Sequence, residues 1–318
     1  MRFPVFDGHC DTPVRLWRHA QALADNDGHV SLRRAQALDG YVQFCSFCMA
    51  WIPGGRSPEE NFQAAYAFFQ AELAKNRDSV RLVTDAAQAA AVLSGGGAGA
   101  MLSVEGAEAI SCDPGRLEEL KQAGVRMIAP VWNLENALAG SCETGSGLSA
   151  QGREFCRRAQ RLGLLLDVSH LSERAFWQLC ELAEKPVVAS HSNSAAVCPH
   201  ARNLTDDQFR ALCRLGGTAG INLYAPFLNA GGAAALDDIY RHIDHFLSLG
   251  GEGHVALGAD FDGCHSLPAG ICGVDDYGKL AQYLLDRGYA EQTVGSIFSG
   301  ALLRVMKEGG PDGALRDR

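Results

Sequence analysis

The amino-acid sequence predicts an α/β fold, a closed (β/α)8 barrel of the TIM type that forms one domain over residues 1–318. Short apolar runs alternate with longer helical patterns, as in chains that build a parallel sheet from βα units. Eight such runs occur, and most are followed by a helical pattern, which favours a closed barrel over an open sheet. A chain of 318 residues with 47% hydrophobic content is large enough for the single core of such a barrel.

The predicted strands are runs of apolar and β-branched residues that end at polar residues. They cover residues 4–8, 42–51, 99–104, 126–131, 163–169, 186–190, 218–223 and 255–259. The predicted helices are stretches in which apolar residues recur at spacings of three and four. They cover residues 58–75, 117–123, 151–162, 173–184, 206–215, 235–249, 278–287 and 291–308.

Composition limits the classes of partner and the compartment. The net charge of -9 and the absence of a Lys/Arg cluster argue against nucleic acid and membrane surfaces, and favour a small-molecule ligand. No apolar stretch reaches membrane-spanning length, and the first strand begins too early for a secretory leader. The eleven cysteines are odd in number and scattered, so we expect reduced thiols in a cytoplasmic protein. Cys45 and Cys48 form a C-x-x-C pair that strand alternation points to opposite faces, which predicts a structural role.

Side chains that can bind metals follow five of the predicted strands. His9 and Asp11 end the first strand, and their spacing of two predicts that they share one face. The other four strands end at Glu105, His170, His191 and Asp260. Alternation predicts that His170 shares a face with the apolar residues at 164, 166 and 168. Because active sites of (β/α)8 barrels are assembled at the C-terminal strand ends, these residues predict one site.

The number of candidate ligands predicts two metal ions. A catalytic zinc takes three protein ligands and leaves one position for water, and three histidines with Asp11 and Glu105 exceed that need. Two metals can share a carboxylate and a hydroxide, which supplies a nucleophile at neutral pH and polarises a carbonyl. Glu105 is the predicted bridge, and Asp260 is left to move the proton to the leaving amine. Histidine and carboxylate ligands accept zinc but also manganese or cobalt.

The chain resembles the zinc-dependent dipeptidases typified by membrane (renal) dipeptidase, a branch of the amidohydrolase-like barrels. The matching segments occur in the family's order and span nearly the whole chain: Asp-Gly-His-Cys-Asp at 7–11, Ser-Val-Glu-Gly at 103–106, Asp-Val-Ser-His at 167–170, Ser-His-Ser at 190–192, Arg-Asn at 202–203 and Gly-Ala-Asp-Phe-Asp-Gly at 258–263. The combined pattern is specific, although each segment alone is short.

The resemblance implies a role for each matching residue. His9 and Asp11 would hold one zinc ion, His170 and His191 a second, with Glu105 as the bridge and Asp260 as the proton-transfer group. Arg202 matches an arginine that binds the free carboxylate of the substrate, a task that suits a guanidinium fork. The resemblance thus implies two zinc ions per chain and a dipeptide substrate, hydrolysed by a hydroxide that bridges the two ions.

The chain also departs from the best-known animal members. Trp132 lies where they have a histidine that contacts the tetrahedral intermediate, and indole offers only one neutral donor. Tyr224, beyond a predicted strand end, is expected to shape the substrate site. The secretory leader and lipid-anchor tail of the animal enzymes have no counterpart, which implies a soluble bacterial-type enzyme, as a monomer or a homodimer. His242 and His245 lie three apart on a predicted helix and, with no third ligand nearby, are expected not to bind metal.

Two other functions remain open at the level of sequence. The first is a barrel hydrolase for another amide or ester, such as an N-acyl amino acid or a lactam. The second is a non-catalytic metal-binding scaffold on a former enzyme barrel. The complete set of ligands, together with an acid that is not needed as a ligand, argues against the scaffold, and only Trp132 favours it.

Overall fold

The computed structural model describes residues 3–50 and 52–310 of the chain. The strands are β1 (Val5–Cys10), β2 (Tyr41–Cys48), β3 (Val80–Leu82), β4 (Ala98–Glu105), β5 (Val125–Ala129), β6 (Leu165–Leu166), β7 (Val188–Ala189), β8 (Thr218–Ile221) and β9 (Val255–Leu257). The α-helices are α1 (Thr12–His19), α2 (Leu32–Ala35), α3 (Pro58–Lys75), α4 (Ala86–Gly95), α5 (Leu117–Gln122), α6 (Ala150–Arg161), α7 (Glu173–Leu182), α8 (Asp206–Arg214), α9 (Ala225–Leu228), α10 (Leu236–Ser248), α11 (Tyr277–Asp286), α12 (Glu291–Gly295) and α13 (Ala301–Gly309).

The strands form a nearly closed parallel barrel. Their order around the barrel is β6-β5-β4-β2-β1-β9-β8-β7, and all the neighbouring strands pair in parallel. The two end strands, β6 and β7, meet through a parallel bridge between Asp167 and Val188, where Val168 N donates to Val188 O at 2.8 Å. The predicted (β/α)8 fold is therefore confirmed. No helix among the described residues is long and apolar enough to cross a membrane.

The barrel floor is apolar. One buried cluster takes a side chain from each of seven strands and continues onto α13: Phe6, Phe44, Met101, Met127, Leu165, Val188 and Ala256, with Leu302, Val305 and Met306. A second buried cluster lies between the strands and the surrounding helices. Burial of these side chains stabilises the barrel by about 25 cal/mol per Å² of apolar surface removed from water. The polar side chains lie at the other end of the barrel, where the strands have their C-terminal ends.

Three glycines make room for one backbone carbonyl inside the barrel. A Cβ atom at Gly8, Gly220 or Gly258 would lie 2.8, 2.0 or 1.8 Å from the carbonyl oxygen of Ser190. No larger residue fits such contacts without movement of the backbone. The close approach lets the chain after β7 cross towards the barrel axis, where His191 follows.

Most predicted helices agree with the structure within two residues. Helix α3 has the predicted bounds because Ser57 and Glu60 form a capping box at its start. The predicted helix 291–308 contains a π-helical turn, Ser296–Gly300, between α12 and α13. The strand predicted to end at Trp51 ends at Cys48, and Trp51 lies outside the described residues.

Several parts of the fold differ from the prediction. Helices α1, α2 and α9 were not predicted, and neither was the unit formed by β3 and α4, in which β3 pairs with β4 beside the barrel path. Strands β6 and β7 have two residues each, much less than the predicted ranges 163–169 and 186–190, because the chain leaves the ladder to carry its polar residues inward. The prediction of eight barrel strands nevertheless identified each strand around the barrel.

Candidate active site

A cavity of about 520 Å³ opens at the C-terminal ends of the barrel strands. The predicted residues that line it are Asp11, Glu105, Trp132, His170, His191, Arg202, Tyr224 and Asp260. His9 lies beneath them, 1% exposed. Residues far apart in sequence therefore meet in one place, as the strand-end pattern predicts.

His9 is surrounded by carboxylates. Its Nε2 atom lies 3.6 Å from Asp11 Oδ2, 3.5 Å from Glu105 Oε2 and 3.9 Å from Asp260 Oδ1. Neither ring nitrogen of His9 has a hydrogen-bond partner among residues 3–50 and 52–310, although both are buried. Buried polar atoms without partners are rare, and a metal ion is one explanation for them.

The other oxygen of Glu105 faces two further histidines. Glu105 Oε1 lies 2.6 Å from His170 Nε2 and 3.5 Å from His191 Nε2, and the two Nε2 atoms are 3.0 Å apart. One oxygen of this carboxylate thus faces His9 and the other faces His170 and His191, while the rings of His9 and His191 are themselves neighbours, with centroids 4.0 Å apart. This is the arrangement expected of a residue that bridges two cations.

Hydrogen bonds at the far side of each ring fix the orientation of His170 and His191. His170 Nδ1 lies 2.8 Å from Asn133 Oδ1, and His191 Nδ1 lies 2.7 Å from Ser190 Oγ. Ser190 Oγ in turn donates to Asp167 Oδ2 at 2.5 Å. Such outer contacts leave Nε2 free to bind metal and raise the basicity of the ligand. The sequence prediction gave no role to Asn133, Ser190 or Asp167, although the last two lie in motifs that it quoted.

Charges of both signs within the site shift the pKa values of its histidines and of Glu105. Burial disfavours a charged imidazole, but the carboxylates of Glu105 and Asp11 outweigh burial and hold the pKa of His9 well above its usual value. Burial likewise opposes ionisation of Glu105, yet His9 and His170 keep its pKa well below the ordinary range. Burial and the Arg202 charge lower the pKa of His170. A set of His and carboxylate donors around an ionised glutamate fits divalent zinc, manganese or cobalt.

Asp260 sits at the edge of this cluster in an unusual backbone conformation. Its φ of +61° lies in the left-handed region, which few non-glycine residues adopt, although Asp does so more often than most. Burial, with the charges of Asp11 and Glu105, raises its pKa to about 7. Asn222 Nδ2 donates to Asp260 Oδ2 at 3.1 Å. A carboxyl group with a pKa near neutrality can both accept and release a proton at physiological pH.

The predicted substrate-binding residues line the cavity beside the histidines. Arg202 is 7% exposed, its Nη2 lies 3.2 Å from His170 Nε2, and its Nη1 donates to the carbonyl of Ser169. The ring centre of Trp132 is 6.3 Å from that of His170. The hydroxyl of Tyr224 lies 3.1 Å from His265 Nε2, and His265 also lines the cavity. Arg202 is therefore a buried charge within the site.

The remaining motifs lie outside the cluster. His242 is buried, and its ring contacts the backbone on both sides, with Ser194 N donating to Nδ1 at 3.1 Å and Nε2 3.0 Å from Leu228 O. His245 lies 2.8 Å from the carboxylate of Asp206. Cys48 lines the cavity, whereas Cys45 packs in the outer core, so the C-x-x-C pair does point to opposite faces.

A parallel barrel with a His and carboxylate cluster at its C-terminal strand ends defines a metal-dependent hydrolase of the (β/α)8 class. The family model for membrane dipeptidases, peptidase family M19, matches residues 1–310. The chain therefore belongs to the membrane dipeptidase family of metallopeptidases, and it is a hydrolase of the dipeptidase class.

The chain is also similar to two uncharacterized bacterial proteins. An uncharacterized protein from the pqqA 5′ region of Klebsiella pneumoniae is 39% identical over 216 residues, covering 64% of this chain and 79% of the relative. An uncharacterized Acinetobacter calcoaceticus protein from the PQQ-III 3′ region is 31% identical over 281 residues, covering 77% of this chain and 89% of the relative.

Two solved structures share the fold over nearly the whole chain. The dipeptidase AC, an M19 metallopeptidase, superposes with a TM-score of 0.90 at 28% identity, covering 98% of this chain and 100% of that one. A metallopeptidase from Rhodobacter sphaeroides, liganded with a phosphinate mimic of the dipeptide L-Ala-D-Ala, has a TM-score of 0.88 at 27% identity, covering 97% and 100%.

Proposed function

We propose that the protein hydrolyses the peptide bond of dipeptides at a site for two divalent cations, with zinc the expected metal. The observation that carries this proposal is the division of the Glu105 carboxylate, whose Oε2 faces His9 and whose Oε1 faces His170 and His191. His9 and Asp11 would hold one cation and His170 and His191 the other. When bound, the two cations would supply a hydroxide nucleophile at neutral pH and polarise the scissile carbonyl.

Asp260 is the proposed proton shuttle. It lies 3.9 Å from His9 Nε2 at the edge of the cluster, and its raised pKa suits a group that takes up and releases a proton near pH 7. Asn222 holds one of its oxygens, which leaves the other to face the reacting atoms. In the proposed reaction Asp260 accepts the proton of the attacking hydroxide and passes it to the leaving amine.

Arg202 is the proposed anchor for the substrate's C-terminal carboxylate. Its guanidinium lies 3.2 Å from His170, so a carboxylate bound there would sit close to the bond under attack. That short separation suits a substrate with one residue after the scissile bond. The phosphinate mimic of L-Ala-D-Ala in the Rhodobacter neighbour supports the same substrate class. Trp132 and Tyr224 would form the walls around the bound dipeptide, within one domain formed by the whole chain.

The test combines metal analysis with a substrate panel. Purified protein should hold two equivalents of divalent metal and hydrolyse dipeptides, some of them with a D residue in second position. Chelation should abolish hydrolysis, and zinc should restore it. Full activity with one metal equivalent would contradict the two-metal site. A two-metal protein that cleaves N-acyl amino acids or lactams but no dipeptide would contradict the proposed substrate.

A further inference from the structure

A further carboxylate lies beside the site, outside the set of residues that the proposed reaction uses. This carboxylate belongs to Asp7, which is 0% exposed and lies two residues before His9 in the chain. Its Oδ1 accepts the backbone N–H of His9 at 2.9 Å and the amide of Gln43 at 3.1 Å. The backbone N–H of Ala259 lies 3.3 Å from both of its oxygens, and the hydroxyl of Tyr277 donates to Oδ2. One buried carboxylate therefore connects β1, β2, α11 and the chain that follows β9.

The backbone around Asp7 is irregular in a way that explains the hydrogen bond to His9. In the pairing of β1 with β2, Asp7 is opposite Gln43 and Cys10 is opposite Cys45. Three steps along β1 thus match two along β2, so β1 contains one extra residue, which is a β-bulge. Bulges re-aim side chains and leave an N–H outside the ladder.

Strand alternation would place His9 on the same side of β1 as Asp7, but the bulge turns it to the opposite side. Asp7 faces Tyr277 of α11, while His9 faces Glu105 in the site. Residues two apart on a regular strand would share a face. The Oδ1 atom of Asp7 accepts the N–H of His9 within the bulge. The carboxylate of Asp7 therefore holds the backbone N–H of the residue whose ring faces the site.

The same carboxylate reaches the proposed proton shuttle. Ala259, whose N–H it accepts, immediately precedes Asp260 in the chain. The N–H of Asp260 in turn donates to the carbonyl of His9 at 3.2 Å. The Asp7 carboxylate thus accepts the backbone N–H groups of His9 and Ala259, and a backbone hydrogen bond joins His9 to Asp260. Movement at Asp7 would shift His9 and Asp260 together.

We propose that Asp7 is a positioning residue of the active site. Its hydrogen bonds hold His9 in the orientation in which it can bind a metal ion, and they fix the position of Asp260 relative to His9. The inference rests on the proposed function for the identity of His9 as a ligand. Asp7 itself touches neither the cavity nor the reacting atoms. Residues that orient a metal ligand from behind typically affect metal affinity by about 10–100-fold when they are removed.

The test compares Asp7→Ala with Asp7→Asn and with Tyr277→Phe. The Asn variant keeps an acceptor oxygen for the N–H of His9 but loses the charge. The Phe variant removes a donor from the far side of the same carboxylate and leaves the contacts to His9 and Ala259 in place. Each protein is titrated with zinc against a competing chelator, examined with cobalt as a spectroscopic probe, and assayed for kcat and KM on one dipeptide. Circular dichroism checks that each variant is folded.

We expect Asp7→Ala to bind the cation held by His9 and Asp11 about 10–100-fold more weakly. Its kcat should fall, with a smaller change in KM. Asp7→Asn should lose much less metal affinity than Asp7→Ala, since it keeps an acceptor oxygen for the N–H of His9. Tyr277→Phe should keep its metal affinity. If Asp7→Ala does not fold, the double variant Asp7→Ala/Tyr277→Phe takes its place, because it removes both partners of the buried pair and leaves no orphaned hydroxyl.

Two results would overturn the inference. The first is wild-type zinc affinity and an unchanged cobalt spectrum in the variant that lacks the Asp7 carboxylate. The second is an equal loss of metal affinity in Tyr277→Phe, which would show that the network acts only through stability. A wild-type protein that binds metal but hydrolyses no dipeptide would refute the proposed function instead, and the zinc titrations would still test the role of Asp7.

Discussion

Replacement of Arg202 by Met is the most direct test of substrate recognition. Methionine keeps much of the length and the apolar stem of the side chain but removes the guanidinium. Arg202 is 7% exposed, so its charge is largely shielded from water. At an effective dielectric constant of about 20, opposite charges about 4 Å apart attract each other by about 4 kcal/mol. That energy corresponds to about a thousandfold in kcat/KM.

The contacts that Arg202 already makes reduce this figure. Its guanidinium donates to the Ser169 carbonyl and lies 3.2 Å from His170 Nε2, so part of its hydrogen-bonding capacity is used without substrate. Truncation of one partner in a buried charge pair costs about 2–5 kcal/mol in measured complexes. We therefore expect Arg202→Met to lower kcat/KM for a free dipeptide by about 10²–10³-fold.

The assay uses each enzyme with a dipeptide and with its C-terminal amide, which lacks the negative charge. Wild-type enzyme should prefer the free dipeptide by about 10²–10³-fold, whereas Arg202→Met should treat both alike. Arg33→Met is the matched control, since Arg33 pairs with Asp25 at 2.7 Å but is 64% exposed and does not line the cavity. Metal content is measured in parallel because Arg202 contacts His170. The reasoning is refuted if a fully metallated Arg202→Met keeps the wild-type preference.

Two further substitutions separate metal binding from proton transfer. Asp260→Asn should keep both metal equivalents by elemental analysis and lose about 10²–10⁴-fold in kcat, the usual contribution of a general acid–base group; an unchanged kcat would exclude Asp260 as the shuttle. His191→Ala should lose one metal equivalent and hydrolysis together; full turnover with one equivalent would contradict the assignment of His191 as an essential ligand.

The barrel and its site could be predicted because both follow from features that are local in sequence. Strands can be recognised in the sequence as apolar runs. The parallel strands of a barrel bring their C-terminal ends together, independently of the conformation of the loops between them. Glu105 and His191 could therefore be grouped without knowledge of any loop. Asn133 could not, since its contact with His170 depends on the path of the long segment after β5. Helix α4 was missed because its alanine-rich sequence shows little amphipathic period.

The predicted face of His170 was wrong, because its strand ends before this residue is reached. The residues at 164, 166 and 168 pack in the outer core, whereas Leu165 points into the barrel and His170 into the cavity. Strand β6 ends at Leu166, and the chain then turns, with Leu171 N donating to Val168 O at 3.1 Å. The period of two therefore stops before the ligand is reached. Asp11 likewise lies beyond β1 and reaches the site as the residue before α1.

A common local device replaces strand alternation at these ends. Asp7 Oδ1 accepts the N–H of His9, Asp167 Oδ1 that of Ser169, and Asn222 Oδ1 that of Tyr224, at 2.9, 3.0 and 2.7 Å. In each case an Asp or Asn, at the bulge of β1 or just after a strand, accepts the N–H two residues on, which is the Asx pattern that competes with the ladder. The residue that is turned, or its neighbour, then faces the cavity. An Asp or Asn at the end of an apolar run is thus a sequence signal that alternation no longer determines where the next side chains point.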